Sequence, residues 1–378
     1  MTSSYKPHFS RFLSSDPGRL HAAAHSHHPW PDVTLDAQQQ AWLDAATLHD
    51  DKWDHVFAAV LPEAQRHVAR RLNLPDPPTI AFAPNTHELV ARVVSCLPAP
   101  ARVLTTDAEF HSFSRQLARW EEAGRVVAER VPTAPLDSFA QRFSAAAARG
   151  GHHLVFLSHV LFDSGFVVED LEAVVTSVPN DDTFVVVDGY HGFMALETDL
   201  SALANRAFYT AGGYKYAMAG EGACFLHCPP GYGDRPVDTG WFAGFADLVA
   251  SPSGATGYPR DGRRFLGATF DPTGLYRFNA VQRWLDGLDI SVAAIHDHVA
   301  GLQRLLLAEL PSGFEAPEAD PHGHFLSFRL GDADAVYRRL RERGVVTDFR
   351  GERLRVGLGL YHDASDVIDL AAKLAAAR

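Results

Sequence analysis

Cysteine is scarce in this chain of 378 residues: Cys96, Cys224 and Cys228 are the three it has. Three thiols cannot build the paired framework of a small disulfide-stapled fold. They fit the reduced thiols expected of a cytoplasmic protein. Cys224 and Cys228 have a loose zinc-like spacing, but no second Cys/His pair of matching spacing completes a metal site. Basic charge is short as well. Lys and Arg number 34 against 46 Asp and Glu, for a formal net charge of -12. Such a chain has no bulk attraction for nucleic acid or for an anionic membrane, and no basic run reverses that. No apolar stretch approaches the roughly 20 residues of a membrane helix. The opening MTSSYKPHFSRFLSSDPGRL lacks the apolar centre of a secretory signal. Internal repeats and long low-complexity tracts are missing too.

What is present is an ordinary globular balance, 46% hydrophobic and 21% charged. The length predicts a large domain and a subsidiary one. Short apolar runs at Thr79–Ala83, Arg102–Thr105, Val126–Val131, Leu154–Leu157, Phe184–Val187, Ala207–Thr210 and Ala223–His227 alternate with helix-like stretches such as His87–Cys96 and Asp137–Ala148. That alternation predicts an α/β domain with a mostly parallel sheet over residues 51–270. Phe184–Val187 is apolar on both faces, as a strand covered by helices on both sides should be. Beyond residue 270 come helices at Gly274–Leu285 and Ser291–Leu310, a strand at His324–Leu330, a helix at Asp332–Arg343, a strand pair around Val345–Phe349 and Arg353–Val356, and a closing helix at Ala364–Ala377. These predict a small α+β domain over 271–378. Residues 1–50 are expected to fold back onto it and onto the cleft.

Ligands in such sheets gather at the carboxyl ends of the strands, and Asp188, Ser158 and Asn85–Thr86 all fall just past strand ends. The block FVVVDGYHGF (184–193) delivers Asp188 to the end of its strand, and FYTAGGYKYAMAGEGACFL (208–226) carries Lys215 on a glycine-rich turn. A lysine amine can form a Schiff base with an aldehyde, and a carboxylate can keep a pyridine nitrogen protonated so that the ring accepts electrons. Together they fit a pyridoxal 5'-phosphate (PLP) site. Taken singly, Lys215 reads as a solvated turn lysine and Asp188 as a helix cap. Asn85 with Glu88 resembles a capping box at a helix N-terminus that could seat a phosphate. The histidines of HAAAHSHHPWPD (His21, His25, His27, His28) lack the carboxylate or cysteine set that would complete a metal site.

Here the chain resembles a known family, the class V aminotransferase-like group of fold-type I PLP enzymes, and within it kynureninase most of all. The resemblance rests on Asp188 with His191, on Tyr214–Lys215 with the GEG that follows, and on SHVLFDSG (158–165), TGWFAG (239–244), RFLGATFDP (264–272) and GVVTDFRGERLRVGLGLYHDASDV (344–367). It runs in order over roughly residues 75–370, far more specific than any single motif. It implies that Lys215 carries the internal aldimine and shuttles the proton, that Asp188 pairs with the pyridine nitrogen, and that His191 supports the cofactor or that aspartate. It implies that Phe110 stacks on the ring and that Asn85, Thr86, His87, Ser158, Tyr214 and Trp241 hold the cofactor, with Thr269 reaching the phosphate of a neighbouring subunit in a homodimer. Arg355 would grip the substrate α-carboxylate, as a planar guanidinium can, with His25, Ser26 and His27 as substrate contacts. The chain departs from kynureninases at Phe162–Asp163–Ser164–Gly165, where an anion replaces the usual arginine, and in the N-terminal loop.

The leading expectation is therefore kynureninase-like Cβ–Cγ hydrolysis of an amino acid. The alternatives are a class V aminotransferase or β-lyase on a small amino acid, and, from another class, a PLP-binding module without catalysis. A cysteine desulfurase is disfavoured because Cys224 and Cys228 directly follow the lysine loop rather than standing in a loop much further on.

Overall fold

A computed structural model of the chain describes residues 4–247 and 256–378. Strand β1 (Leu20–His21) lies in the N-terminal segment. Then come β2 (Ile80–Ala83), β3 (Ala101–Thr106), β4 (Val126–Val131), β5 (Leu154–Ser158), β6 (Phe184–Asp188), β7 (Ala207–Ala211) and β8 (Cys224–His227). These seven form one sheet in the order β2-β8-β7-β6-β5-β3-β4. All pairings are parallel except those of β8, which runs antiparallel to both β2 and β7.

The period of two along a strand explains why the middle of this sheet is apolar throughout. Leu154, Phe156 and Val186 point into one core, while Val155, Leu157, Val185 and Val187 point into the other on the opposite face. Each face is covered by helices, so neither set can be polar. Ser158 and Asp188 end β5 and β6 in register with one another, and the chemistry begins where the apolar runs stop.

The second unit is built on β9 (Phe325–Arg329), with β10 (Val345–Val346), β11 (Asp348–Arg350) and β12 (Arg353–Gly357) following. Its sheet has the order β11-β12-β9, antiparallel throughout. The stretch expected as one strand over Val345–Phe349 is broken at Thr347. Its first half leaves for a parallel pairing with β1, Leu20 opposite Val345, and the second half turns back on β12. The N-terminal segment is thus tied to the small sheet, with Ala22 N–H donating to Val346 and Gly357 N–H donating to Ala22.

The helix Thr273–Gly287, read from the sequence as the start of the small domain, buries Leu275, Phe278, Val281 and Leu285 in the large core. It also packs along the helix Val33–Leu48, where Tyr276 OH donates to Asp44 at 2.9 Å. A separate core gathers Leu20 and Ala22 of the N-terminal segment with Val299, Leu326, Phe328, Leu354, Val356 and Leu370. Among the described residues, no helix is long and apolar enough to cross a membrane.

Candidate active site

The carboxyl ends of β5 and β6, the turn after β7 and the start of the helix Thr86–Ser95 enclose a cavity of about 260 Å³. That is near the lower end of the usual range for ligand sites, roughly 300–1,000 Å³. Lys215 stands in it. The chain has four lysines, and Lys6, Lys52 and Lys373 are all partly exposed, whereas Lys215 is only 5% exposed. The turn that carries it needs glycine: a Cβ on Gly212 would fall 2.2 Å from the Tyr190 hydroxyl.

The Lys215 amine lies 2.8 Å from His191 Nε2. The same ring nitrogen is 3.2 Å from the carbonyl oxygen of His25. A carbonyl only accepts, so the tautomer protonated at Nε2 donates towards it, and the other tautomer presents Nε2 as an acceptor for the lysine. Three rings surround the amine, with Tyr190 at 4.8 Å, Phe110 at 5.5 Å and Tyr214 at 5.7 Å from Nζ to centroid. Burial lowers the Lys215 pKa to about 7 against the opposing pull of Asp188. Burial raises the Asp188 pKa, opposed by the Tyr190 N–H, which donates to Oδ1 at 2.9 Å, and by the charge of Lys215. Burial, then the charges of Lys215 and Arg355, push His191 well below the ordinary histidine value. A buried amine and a buried carboxylate thus share one cavity, each favouring the charged form of the other.

Asn85 caps the helix Thr86–Ser95 by accepting from Glu88 N–H at 2.9 Å, as the sequence suggests, and Asn85, Thr86 and His87 border the cavity. Phe110, Ser158, Tyr214, Asp188 and His191 border it as well. The other expected residues do not border the cavity within one chain. Trp241 Nε1 donates to Thr269 Oγ1 at 2.9 Å, and within one chain neither lines this cavity. Nor do Arg355, His25, Ser26 or His27. Arg355 is held by Asp348. His25 is buried against Phe325 and lies 3.1 Å from Asp348. The largely exposed His27 stacks on Tyr214 and lies 3.3 Å from the Ser26 hydroxyl. Asp163 pairs loosely with Arg353 at 3.9 Å. No group of three or more His, Cys, Asp or Glu side chains among the described residues could hold a metal ion.

Three residues at or beside the site escape the sequence reading. Tyr190 faces the lysine amine. Glu109 is buried and accepts from Ser158 Oγ at 2.6 Å and Thr106 Oγ1 at 2.8 Å. Burial raises its pKa to about 7, against those two hydrogen bonds and with help from the charge of Asp188. Asp348 is the third. The scarcity of lysine was a signal for Lys215; for Glu109 and Asp348 no local signal separates them from the chain's other acids.

The model of the family described as Aminotransferase class-V matches residues 22–367. Isopenicillin N epimerase of Streptomyces clavuligerus is 31% identical over 193 residues, a stretch that spans about half of each chain, 48% of this one and 47% of the epimerase. Solved structures share the fold at lower identity. A mutant of C-DES with glycine covalently linked to its PLP cofactor superposes with a TM-score of 0.83 at 18% identity, covering 99% of either chain. C-DES is described as a cystine C–S lyase. The cysteine desulfurase of Thermococcus onnurineus gives 0.80 at 17% identity over 100% of this chain and 99% of that one. CsdA, the cysteine desulfurase of Escherichia coli, gives 0.77 at 19% identity over 98% of each. With the family match running through Asp188, Lys215 and Arg355, the chain belongs to the class V aminotransferase family of PLP-dependent enzymes.

Proposed function

We propose that this enzyme removes the Cα proton of a small amino acid and completes either β-elimination or transamination. The observation that carries the proposal is the single buried lysine, within hydrogen-bond reach of His191 and sharing its cavity with Asp188. The donor set suits PLP. The capped N-terminus of the helix Thr86–Ser95 offers a seat for its phosphate, Asp188 a partner for its ring nitrogen, and Phe110 an apolar face for the ring. When bound, PLP supplies an aldehyde for the amine and a sink for electrons. Lys215, its amine pKa lowered by burial, takes the proton from Cα and would hand it on to the departing β-substituent in elimination or to the cofactor carbon in transamination. His191 holds the amine in place, and Tyr190 and Phe110 exclude water from around it.

The relatives favour this reading over kynureninase-like Cβ–Cγ hydrolysis, since they are an epimerase, a C–S lyase and cysteine desulfurases. Desulfurase chemistry needs a thiolate to accept sulfur, and Cys224, the cysteine bordering the cavity, has its pKa raised by burial to about 11. It stays a thiol at neutral pH.

The test has two stages. Purified protein with PLP is expected to show a visible band that borohydride bleaches, with the reduced adduct mapping to Lys215 by peptide mass and lost in Lys215→Ala. A panel including cystine, alanine, kynurenine and 3-hydroxykynurenine is then followed by mass. A keto acid with released β-substituent supports elimination, and a keto acid with an aminated acceptor supports transamination. Anthranilate plus alanine would overturn the proposal in favour of the hydrolase.

A further inference from the structure

Arg355 is 1% exposed, an unusual place for a guanidinium. The hairpin register explains how it is tolerated. In the β11–β12 pair Asp348 stands directly opposite Arg355, and side chains directly opposite share one face of the sheet. The two meet edge to edge: Arg355 Nε donates to Asp348 Oδ1 at 2.7 Å, and Nη2 donates to Oδ2. Nη1 donates to the carbonyl of Phe162. The Phe162 ring lies 4.4 Å from the guanidinium carbon, with that of Phe325 at 5.5 Å. Phe162 itself borders the lysine cavity, so the guanidinium sits directly behind the cavity wall.

A guanidinium has five N–H groups. Asp348 takes two, on the Nε–Nη2 edge, and Phe162 takes one. The remaining two belong to Nη1 and Nη2, the adjacent nitrogens of the other edge. Asp348 is itself fixed. His25 Nε2 lies 3.1 Å from Oδ1 and Arg350 3.6 Å from Oδ2. Burial works against the ionised carboxyl, but His25 and Arg355 outweigh it and hold Asp348 well below the usual carboxylate range. A charged, immobile carboxylate therefore grips one edge of a long side chain that would otherwise sample many rotamers.

We propose that Asp348 is a positioning residue for substrate recognition: by holding the Nε–Nη2 edge of Arg355 it presents the Nη1 and Nη2 donors as the seat for the α-carboxylate of the bound amine. This rests on the amino-acid reading above and extends it to a residue that touches neither cofactor nor substrate. His25 belongs to the same device, steadying Asp348 rather than meeting the substrate.

The experiment measures ligand binding to the holoenzyme by the change in its visible spectrum, with L-alanine and L-alaninamide as the probes. They differ in the carboxylate alone. Wild type is expected to bind the acid about tenfold or more tighter than the amide. Asp348→Asn is expected to lose that preference while its affinity for the amide stays within about threefold. In an Arg355→Met background, Asp348→Asn is expected to change the ratio no further, because Asp348 acts through the arginine. Asp348→Ser serves as a second variant if the Asn form does not fold, and the wild-type ratio stands without either. A wild type indifferent to the carboxylate, a variant that binds the acid as tightly as before or tighter, or equal weakening of acid and amide would each overturn the proposal. A protein that shows no borohydride-sensitive band fails the PLP reading instead, before any titration begins.

Discussion

Glu109 shows how a single buried side chain links the site to stability. Burial raises its carboxyl from 4.5 to about 7, so between those two pH values the folded protein holds a proton there that the unfolded chain has released. The folded state is favoured by this group below pH 4.5, and the contribution is lost as pH rises through about 7. A shift of this size corresponds to roughly 3 kcal/mol at most. Glu109→Gln keeps an acceptor for Ser158 and Thr106 without the titration. Urea unfolding at pH 5 and pH 8 is expected to show the wild type losing more stability than the variant over that interval. Equal losses would mean that Glu109 is already ionised at pH 5. The location of the effect is chemical as well as energetic, since the neighbouring charge is Asp188.

At the scale of elements, two helix caps of the same kind sit in different places. Asn85 caps the helix Thr86–Ser95 at the cavity, and Ser291 caps Val292–Ala308 away from it, accepting from Ala294 N–H at 3.0 Å. Removing either cap by alanine substitution is expected to cost about 1 kcal/mol in thermal or urea unfolding. Only Asn85→Ala is expected to weaken PLP binding as well, read as the concentration of PLP that half-saturates the visible band. A loss of affinity in both variants would show that the effect passes through global stability. The strands of the large sheet were legible to within a residue or two because most are apolar runs bounded by turn residues, the edge strand β4 with Glu129 and Arg130 being the mixed one. The Val345–Phe349 stretch was not, because a change of sheet at Thr347 leaves no mark on local hydropathy.

At the scale of the whole molecule, Trp241 stands out as an exposed aromatic. It is 38% exposed, bonded to Thr269 and surrounded by Trp53, Phe242 and Phe245. Placed there, it contributes nothing to the lysine cavity of its own chain. The resemblance implies a homodimer in which the segment around Thr269 reaches the neighbouring subunit's phosphate, and Trp241, bonded to Thr269, would then stand at that contact. Sedimentation is expected to report a dimer. Trp241→Arg is expected to shift it towards monomer and to weaken PLP retention by about tenfold or more. A monomeric wild type with full PLP occupancy would refute it.

The amino-acid order by itself determined the α/β sheet, the strand ends that carry Ser158 and Asp188, the capped helix at Asn85 and the lysine turn. All of these are local: an apolar run, a cap or a glycine turn is written within a few consecutive residues. Tertiary structure alone decided that Arg355 is gripped by Asp348, that His25 turns to that pair, that Glu109 lies between Ser158 and Thr106, and that the helix Thr273–Gly287 joins the large core. Those outcomes depend on which strands become neighbours and which charges lose their water together. Hydrogen bonding and desolvation between residues distant in sequence are properties of the assembled fold, and no window of sequence contains them.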